Sequence, residues 1–277
     1  WTTEEFGRFQ VKYSQYISEA LDEARIDARP LILAQSGQTL SDNELLSSQF
    51  SQSSEVKVDG VTAHFYLANS SGDPLGMGGG VRSRLNILYD SWGEAIDDLE
   101  IVVTEWNVGE SGRDSTLVNG YMRSAPLLRA FYELVTGGVE MMTIWSTVTG
   151  SPAGLFTDER RSTQPYQTAT GQLFEMMSSA LIGYSATTSQ NDIFIRDESG
   201  DKIGYGLQFG NGVDSLIYLS SGVGRSENIF VDLSEVLSSE SYIYIKALEG
   251  ESYEASTGYY SVGPVTILTE IKLTETI

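Results

Sequence analysis

Apolar residues at Phe6, Phe9, Tyr13, Tyr16, Ile17, Ala20, Leu21 and Ala24 recur at three- and four-residue spacing, which predicts an amphipathic helix. Thr2 and Glu5 stand at the spacing of a capping box and open it. Pro30 ends that pattern and leads into Leu31-Ile-Leu-Ala34, a continuous apolar run of the kind shown by a strand buried on both faces. Ser41 and Glu44 repeat the capping-box spacing and predict a short helix through Leu45 and Leu46. The second strand is Val58 to Leu67, and the glycine-rich stretch Ser70 to Gly80 is a loop. Val81, Leu85, Leu88, Tyr89, Trp92 and Ile96 then restore the helical period, with Trp92 at a core spacing. Leu99 to Val108 is the third strand, and Ser124 to Val135 is a helix whose first turn tolerates Pro126 and whose stop is Gly137-Gly138. Val139 to Val148 is the fourth strand, and Thr163 to Ile182 holds the closing helix.

Apolar strands separated by helices predict βα units around a parallel sheet covered on both faces. After Gly183 the pattern changes to strands joined by turns. They are Asp192–Asp197, Ile203–Phe209, Asp214–Ser220, Asn228–Leu233, Ser241–Leu248 and Pro264–Leu273, with Glu198–Asp201 and Gly210–Gly212 as turns. This spacing, with alternation such as Tyr242-Ile-Tyr-Ile-Lys246, predicts an antiparallel β-sandwich. The domains expected are therefore an α/β portion over 1–182 and an all-β domain over 183–277.

Composition narrows the chemistry. Seventeen Lys and Arg stand against 38 Asp and Glu, a net charge of −21 that opposes binding to a phosphate backbone. With no cysteine and one histidine, a thiolate nucleophile, a Cys-ligated metal and a multi-histidine site are all excluded. No apolar run approaches the ~20 residues that span a bilayer, so membrane insertion is not expected. Carboxylates, hydroxyls and aromatics remain. An acidic, cysteine-free chain rich in Ser, Thr and Gly suits a secreted or cell-surface bacterial protein, and Trp1 reads as a residue inside a longer polypeptide. Asp197–Asp201 lacks the ligand spacing of a calcium loop and reads as a hairpin turn, so no metal or cofactor is assigned.

Thr104-Glu-Trp-Asn107 is the most informative stretch, because it sets a carboxylate toward the C-terminal end of a buried strand. Glu105 there suits the nucleophile of a retaining glycosidase, or else a glutamate that salt-bridges or caps the next helix. His64 and Tyr66 share one face of the preceding strand, where a tyrosine hydroxyl can hold a nucleophilic carboxylate and an imidazole can bind a sugar hydroxyl. His64 is otherwise a structural imidazole. Trp145, near the end of the fourth strand, is either a stacking platform for a sugar or a core tryptophan. Asn43-Glu44 has the look of a catalytic pair, but capping accounts for Glu44. Gly76-Met-Gly-Gly-Gly80 lacks the Lys-Ser/Thr of a phosphate loop and reads as an active-site loop.

His64-Phe-Tyr66, Thr104-Glu-Trp-Asn107 and Trp145, in that order, resemble strands six, seven and eight of clan A glycoside hydrolases of the xylosidase, arabinofuranosidase and agarase kind. The resemblance implies the C-terminal half of a (β/α)8 barrel followed by a β-sandwich, acting on a poly- or oligosaccharide by double displacement with Glu105 as nucleophile. His64, Tyr66 and Trp145 would then position the sugar. The family's acid/base glutamate, from an Asn-Glu ending strand four, would fall before Trp1. Geometry agrees, since a complete barrel takes eight strands and ~250 residues while only four strands are found in 182. Half a barrel has two open parallel edges, so an N-terminal half-barrel segment or chain is the expected partner, beside carbohydrate. A noncatalytic glycan-binding or extracellular structural protein with the same fold is the alternative.

Overall fold

The computed structural model describes residues 1–25, 30–53, 56, 58–68, 77–109, 124–149, 154–157, 167–187, 193–221, 230–233, 242–243, 246–248, 265–267 and 271–272. Of the loop expected at Ser70–Gly80, Met77–Gly80 are instead the start of a helix, which overturns the active-site-loop reading for those residues, and 70–76 lie outside the described residues, as do parts of the last expected strands. The chain divides into two compact units. One comprises Trp1–Tyr66, Gly79–Trp106 and Gly137–Ile144, and the other comprises Leu67–Gly78, Asn107–Thr136 and Trp145–Ile277.

The first unit is built from α1 (Thr3–Ala24), β1 (Leu33–Gln35), α2 (Leu40–Ser51), β2 (Gly60–Ala68), α3 (Met77–Trp92), β3 (Glu100–Gly109) and, after α4 (Ser124–Thr136) of the second unit, β4 (Val139–Ile144). The strands form a four-stranded parallel sheet in the order β1-β2-β3-β4. Gly60 is required where β2 starts, because a Cβ there would lie 2.1 Å from the Glu100 carbonyl oxygen. Gly138, at φ +82°, makes the turn into β4 that a side-chain-bearing residue would strain to adopt.

One face of this sheet is dry. Val61, Ala63 and Phe65 of β2 and Ile101 and Val103 of β3 are buried, together with Val81, Leu85, Leu88 and Trp92 of α3. Each such aliphatic side chain contributes roughly 1.5–3 kcal/mol by leaving water. The expectation of a sheet covered on both faces is met at Ile101–Val103 of β3 and not along β2 and β4. In β2 the alternate positions Thr62, His64 and Tyr66 are only partly covered, and in β4 Met141 and Thr143 are exposed. Along β2 a period-two pattern hidden within an apolar run therefore separates a packed face from a more open one, whereas in β3 Ile101, Val102 and Val103 are all buried.

Two helices differ from their expected form. The capping box of α1 is present, with Thr2 N donating to Glu5 Oε2 at 2.8 Å and Glu5 N donating to Thr2 Oγ1 at 3.2 Å. Its aromatic stripe, however, points outward, leaving Phe9, Tyr13 and Tyr16 45, 58 and 56% exposed. Gly7 and Ser14 are the residues α1 buries, and a Cβ on Gly7 would already meet Gln49 Cγ at 2.8 Å. Small residues let α2 approach that face, so the large rings take the other and stack on one another, Phe9 on Tyr13 at 5.8 Å. In α2 the cap is Thr39, whose Oγ1 accepts from Asp42 N and donates to Asp42 Oδ2 at 2.7 Å. Ser41 lies inside the helix, which overturns the capping role expected for Ser41 and Glu44.

The second unit carries α4, β5 (Val148–Thr149), β6 (Phe156–Thr157) and α5 (Ala169–Ala180), followed by an antiparallel region. There β7 (Ser185–Ala186), β8 (Ile193–Arg196), β9 (Lys202–Gly210), β10 (Ser215–Ser221) and β11 (Phe230–Val231) form one sheet, ordered β10-β9-β8-β11 with β7 also paired to β9. β12 (Tyr242–Ile243) pairs with β15 (Ile271–Lys272), and β13 (Lys246–Leu248) with β14 (Val265–Ile267). Both expected turns are present: Asp197 Oδ1 accepts from Ser199 N and Asp201 N, and Asn211 Oδ1 from Val213 N and Asp214 N. Helix α4 packs on this sheet through Phe131 and Tyr132, whose rings lie 6.4 and 5.6 Å from Phe209. The buried Glu133 is paired with Arg129, whose guanidinium also sits 5.3 Å over the Tyr205 ring.

Candidate functional site

Three of the four residues singled out in the sequence lie in the first unit, and the fold brings them together. The odd positions of β2 are apolar and turn into the core, so His64 and Tyr66 are carried to the open face. On β3 the buried triplet Ile101-Val-Val103 is followed by a register irregularity against β4 between Val103 and Trp106. Trp106 then enters the core, and Glu105 stays partly open, with 27% of its side chain exposed.

The Tyr66 hydroxyl donates to Glu105 Oε2 at 2.5 Å, and His64 Nδ1 lies 3.4 Å from the same oxygen. The imidazole and phenol stand edge to face, 6.5 Å apart. Among the described residues, both contacts fall on Oε2 and none on Oε1. Burial, and after it the hydrogen bond and charge of Glu105, push the Tyr66 hydroxyl up to about 12. Tyr66 is therefore a donor at any ordinary pH, and its proton stays on the phenol. The arrangement fixes one carboxylate oxygen and leaves the other open to an electrophile.

Trp145 belongs to the second unit, immediately after β4, and is 54% exposed, which removes the core-tryptophan alternative. Its carbonyl oxygen accepts from Asn107 Nδ2, while Asn107 Oδ1 accepts from Val108 N at 2.8 Å. Asn107, the last residue of the Thr104–Asn107 motif, is thus buried and structural. Asn43 is structural as well. It accepts from Gly37 N and Trp92 Nε1, both at 2.9 Å, and donates to the Gly37 and Thr39 carbonyls.

Arg84 was not singled out in the sequence, yet it stands directly behind this cluster. It donates to the His64 carbonyl at 3.0 Å, to the Tyr66 carbonyl at 3.4 Å and to Gln38 Oε1 at 2.9 Å. Its guanidinium carbon lies 4.9 Å over the Phe65 ring, and burial lowers its pKa from the ordinary value. The signal was available: Arg84 is three residues after Val81 and four before Leu88, a charge on the apolar stripe of α3.

No family model matches the sequence, and neither does any curated protein. Solved structures similar to the chain include an α-L-arabinofuranosidase from Thermotoga maritima in complex with arabinose, at 14% identity and TM-score 0.48 over 89% of this chain and 50% of that one. A monomeric β-xylosidase from Caulobacter crescentus CB15 matches at 17% identity and TM-score 0.40, over 62% of this chain and 40% of that one. A GH39 enzyme from Xanthomonas axonopodis pv. citri matches at 14% identity and TM-score 0.45, over 69% and 42%. The chain spans half or less of the length of each.

Proposed function

We propose that this chain is the nucleophile-bearing half of a retaining glycoside hydrolase, with Glu105 as the attacking carboxylate. The observation that carries the reading is the Tyr66 hydroxyl 2.5 Å from Glu105 Oε2, with His64 against the same oxygen and Oε1 left uncontacted among the described residues. In this mechanism Oε1 attacks the anomeric carbon while Tyr66 holds Oε2, and a second carboxylic acid protonates the departing oxygen. The products of that step are a glycosyl ester on Glu105 and a free leaving-group alcohol. The second carboxyl group, now ionised, takes a proton from water, which cleaves the ester and regenerates Glu105. His64 Nδ1 adds to the grip on Oε2, the more so when the ring is protonated. Trp145 offers an aromatic face for a sugar ring.

The partner acid in a retaining enzyme stands ~5–5.5 Å from the nucleophile. We assign it to a preceding segment that also supplies strands to the edges of β1 and β4, which pair with no further strand among the described residues, giving a (β/α)8 barrel over 1–182 and its missing half, with a β-sandwich over 183–277. The substrate class is a poly- or oligosaccharide, and the location is secreted or cell-surface.

The test uses a 2,4-dinitrophenyl 2-deoxy-2-fluoroglycoside series, whose leaving group departs without an acid. A label on the Glu105 peptide by mass spectrometry, absent in Glu105→Gln, supports the assignment. No label on this chain, with undiminished hydrolysis by Glu105→Gln in the polypeptide that contains it, ends the assignment.

A further inference from the structure

Thr62, His64 and Tyr66 alternate along β2, so their carbonyl oxygens point to the same side of the strand. Thr62 shows which side: its carbonyl accepts from Ser36 N at 3.0 Å, the last bond of the parallel β1–β2 ladder. β1 ends at Gln35, and the chain then turns away through Gly37 toward the cap of α2. The next two carbonyls on that side, those of His64 and Tyr66, lose the strand that would have bonded them. They belong to the two residues whose side chains grip Glu105.

Arg84 replaces the missing strand. Its guanidinium bonds both carbonyls, and Gln38, just past the end of β1, holds the guanidinium in turn. The Phe65 ring beneath it closes the fourth side. A planar fork with several fixed donors suits this place, since it meets two carbonyls one alternation apart and a third acceptor at once. A lysine ammonium would be a point charge with no such span.

We propose that Arg84 is a positioning residue for the Glu105 site: by holding the backbone of His64 and Tyr66 beyond the end of β1, it fixes where their side chains meet Glu105 Oε2. Arg84 touches neither substrate nor the reacting carboxylate oxygen in this role. The inference rests on the glycosidase reading only for its effect on rate, because the placement of Tyr66 is measurable without a substrate.

The experiment therefore has two readouts, on the parent and on Arg84→Lys, Arg84→Met and Gln38→Leu. The first is the titration of the Tyr66 phenol by tyrosine Cζ NMR, assigned by its loss in Tyr66→Phe. The second is the rate of Glu105 labelling by the fluoroglycoside, with kcat and KM where turnover is measured. Arg84→Met should bring the Tyr66 midpoint down from about 12 and slow labelling by about 10²-fold, the scale on which a misplaced group costs rate, with KM little changed. Arg84→Lys and Gln38→Leu should fall between Arg84→Met and the parent. If Arg84→Met folds, as its circular dichroism would show, and keeps the parent Tyr66 titration, Arg84 is only a structural prop and the proposal is overturned. If Arg84→Met does not fold, Arg84→Lys and Gln38→Leu decide by the same criterion. A parent that never labels and hydrolyses undiminished as Glu105→Gln, but whose Tyr66 titration shifts in the Arg84 and Gln38 variants, would defeat the glycosidase reading and leave the positioning role standing.

Discussion

Tyr66 and Glu105, 39 residues apart in the chain, meet at 2.5 Å because β2 and β3 are neighbours in the sheet and each places its polar residue on the open side. A hydrogen bond to a charged group is worth about 1.5–3 kcal/mol, or roughly 10- to 10²-fold in a rate if it acts on the reacting carboxylate. Tyr66→Phe should lower kcat on an aryl glycoside by that factor and leave the thermal midpoint within a few degrees, since the residue is 43% exposed. A kcat equal to the parent's would mean that Oε2 needs no anchor.

The same pair predicts an alkaline titration. The Tyr66 hydroxyl stands at about 12 in the fold, and an unfolded tyrosine titrates near 10. A pKa raised on folding makes a contribution to stability that is whole below pH 10 and is lost as pH rises toward 12. In Glu105→Gln the carboxylate's charge is gone and only a neutral amide oxygen is left to accept from the phenol, while the burial remains, so Tyr66 should titrate below the parent value but still above 10. Difference absorbance of phenolate between pH 9 and 13, parent against variant, reads the shift. Coincident curves would show that Glu105 has no hold on the phenol.

The meeting of Tyr66 with Glu105 was legible in the sequence because strand alternation and the order of strands are local signals. Alternation put His64 and Tyr66 on one face, and consecutive βα units made β2 and β3 neighbours. Arg84 was not legible as part of the site, since its partners are main-chain carbonyls left over where β1 happens to end, and no side-chain pattern encodes that. The outward turn of Phe9, Tyr13 and Tyr16 was hidden for a related reason. Periodicity finds the apolar stripe, but here the small residue Gly7 decides which face meets α2, and Ser14 is buried with it. In α2, Ser41 and Thr39 both precede a carboxylate by three residues, and spacing alone does not choose between them.

That choice makes a direct prediction. Thr39 Oγ1 accepts from the Asp42 amide and also bonds the Asp42 carboxylate, so Thr39→Ala should cost about 1 kcal/mol, the usual cost of a lost N-cap. Ser41 follows the first residue of the helix, and Ser41→Ala should change stability by no more than about 0.5 kcal/mol. Urea unfolding of the two variants tests the pair, and a larger loss from Ser41→Ala would restore the cap to Ser41.

Asn43 gives a large stability effect for a polar residue of the first unit. It is 1% exposed and joins the loop after β1 to α3 by accepting from Gly37 N and from the indole of the fully buried Trp92. Asn43→Ala leaves the Trp92 Nε1–H without that acceptor in a dry setting and takes one donor from the Gly37 carbonyl and one from the Thr39 carbonyl, which keeps its bond from the Asn43 amide. One buried donor stripped of its partner costs about 1–3 kcal/mol, and the accompanying loss of the Gly37 bonds places the total at about 3 kcal/mol. Asn43→Asp is the informative companion, because it keeps an oxygen to accept from Gly37 N and Trp92 Nε1 and removes one donation to the Gly37 and Thr39 carbonyls when neutral and both when ionised. If acceptance from Trp92 dominates, Asn43→Asp is the milder of the two at a pH where its carboxyl group is neutral, and becomes the harsher once a buried charge forms. Urea midpoints at pH 4 and pH 8, with Trp fluorescence reporting on the Trp92 environment, separate these cases, and equal losses for both variants at both pH values would assign Asn43 to space-filling alone.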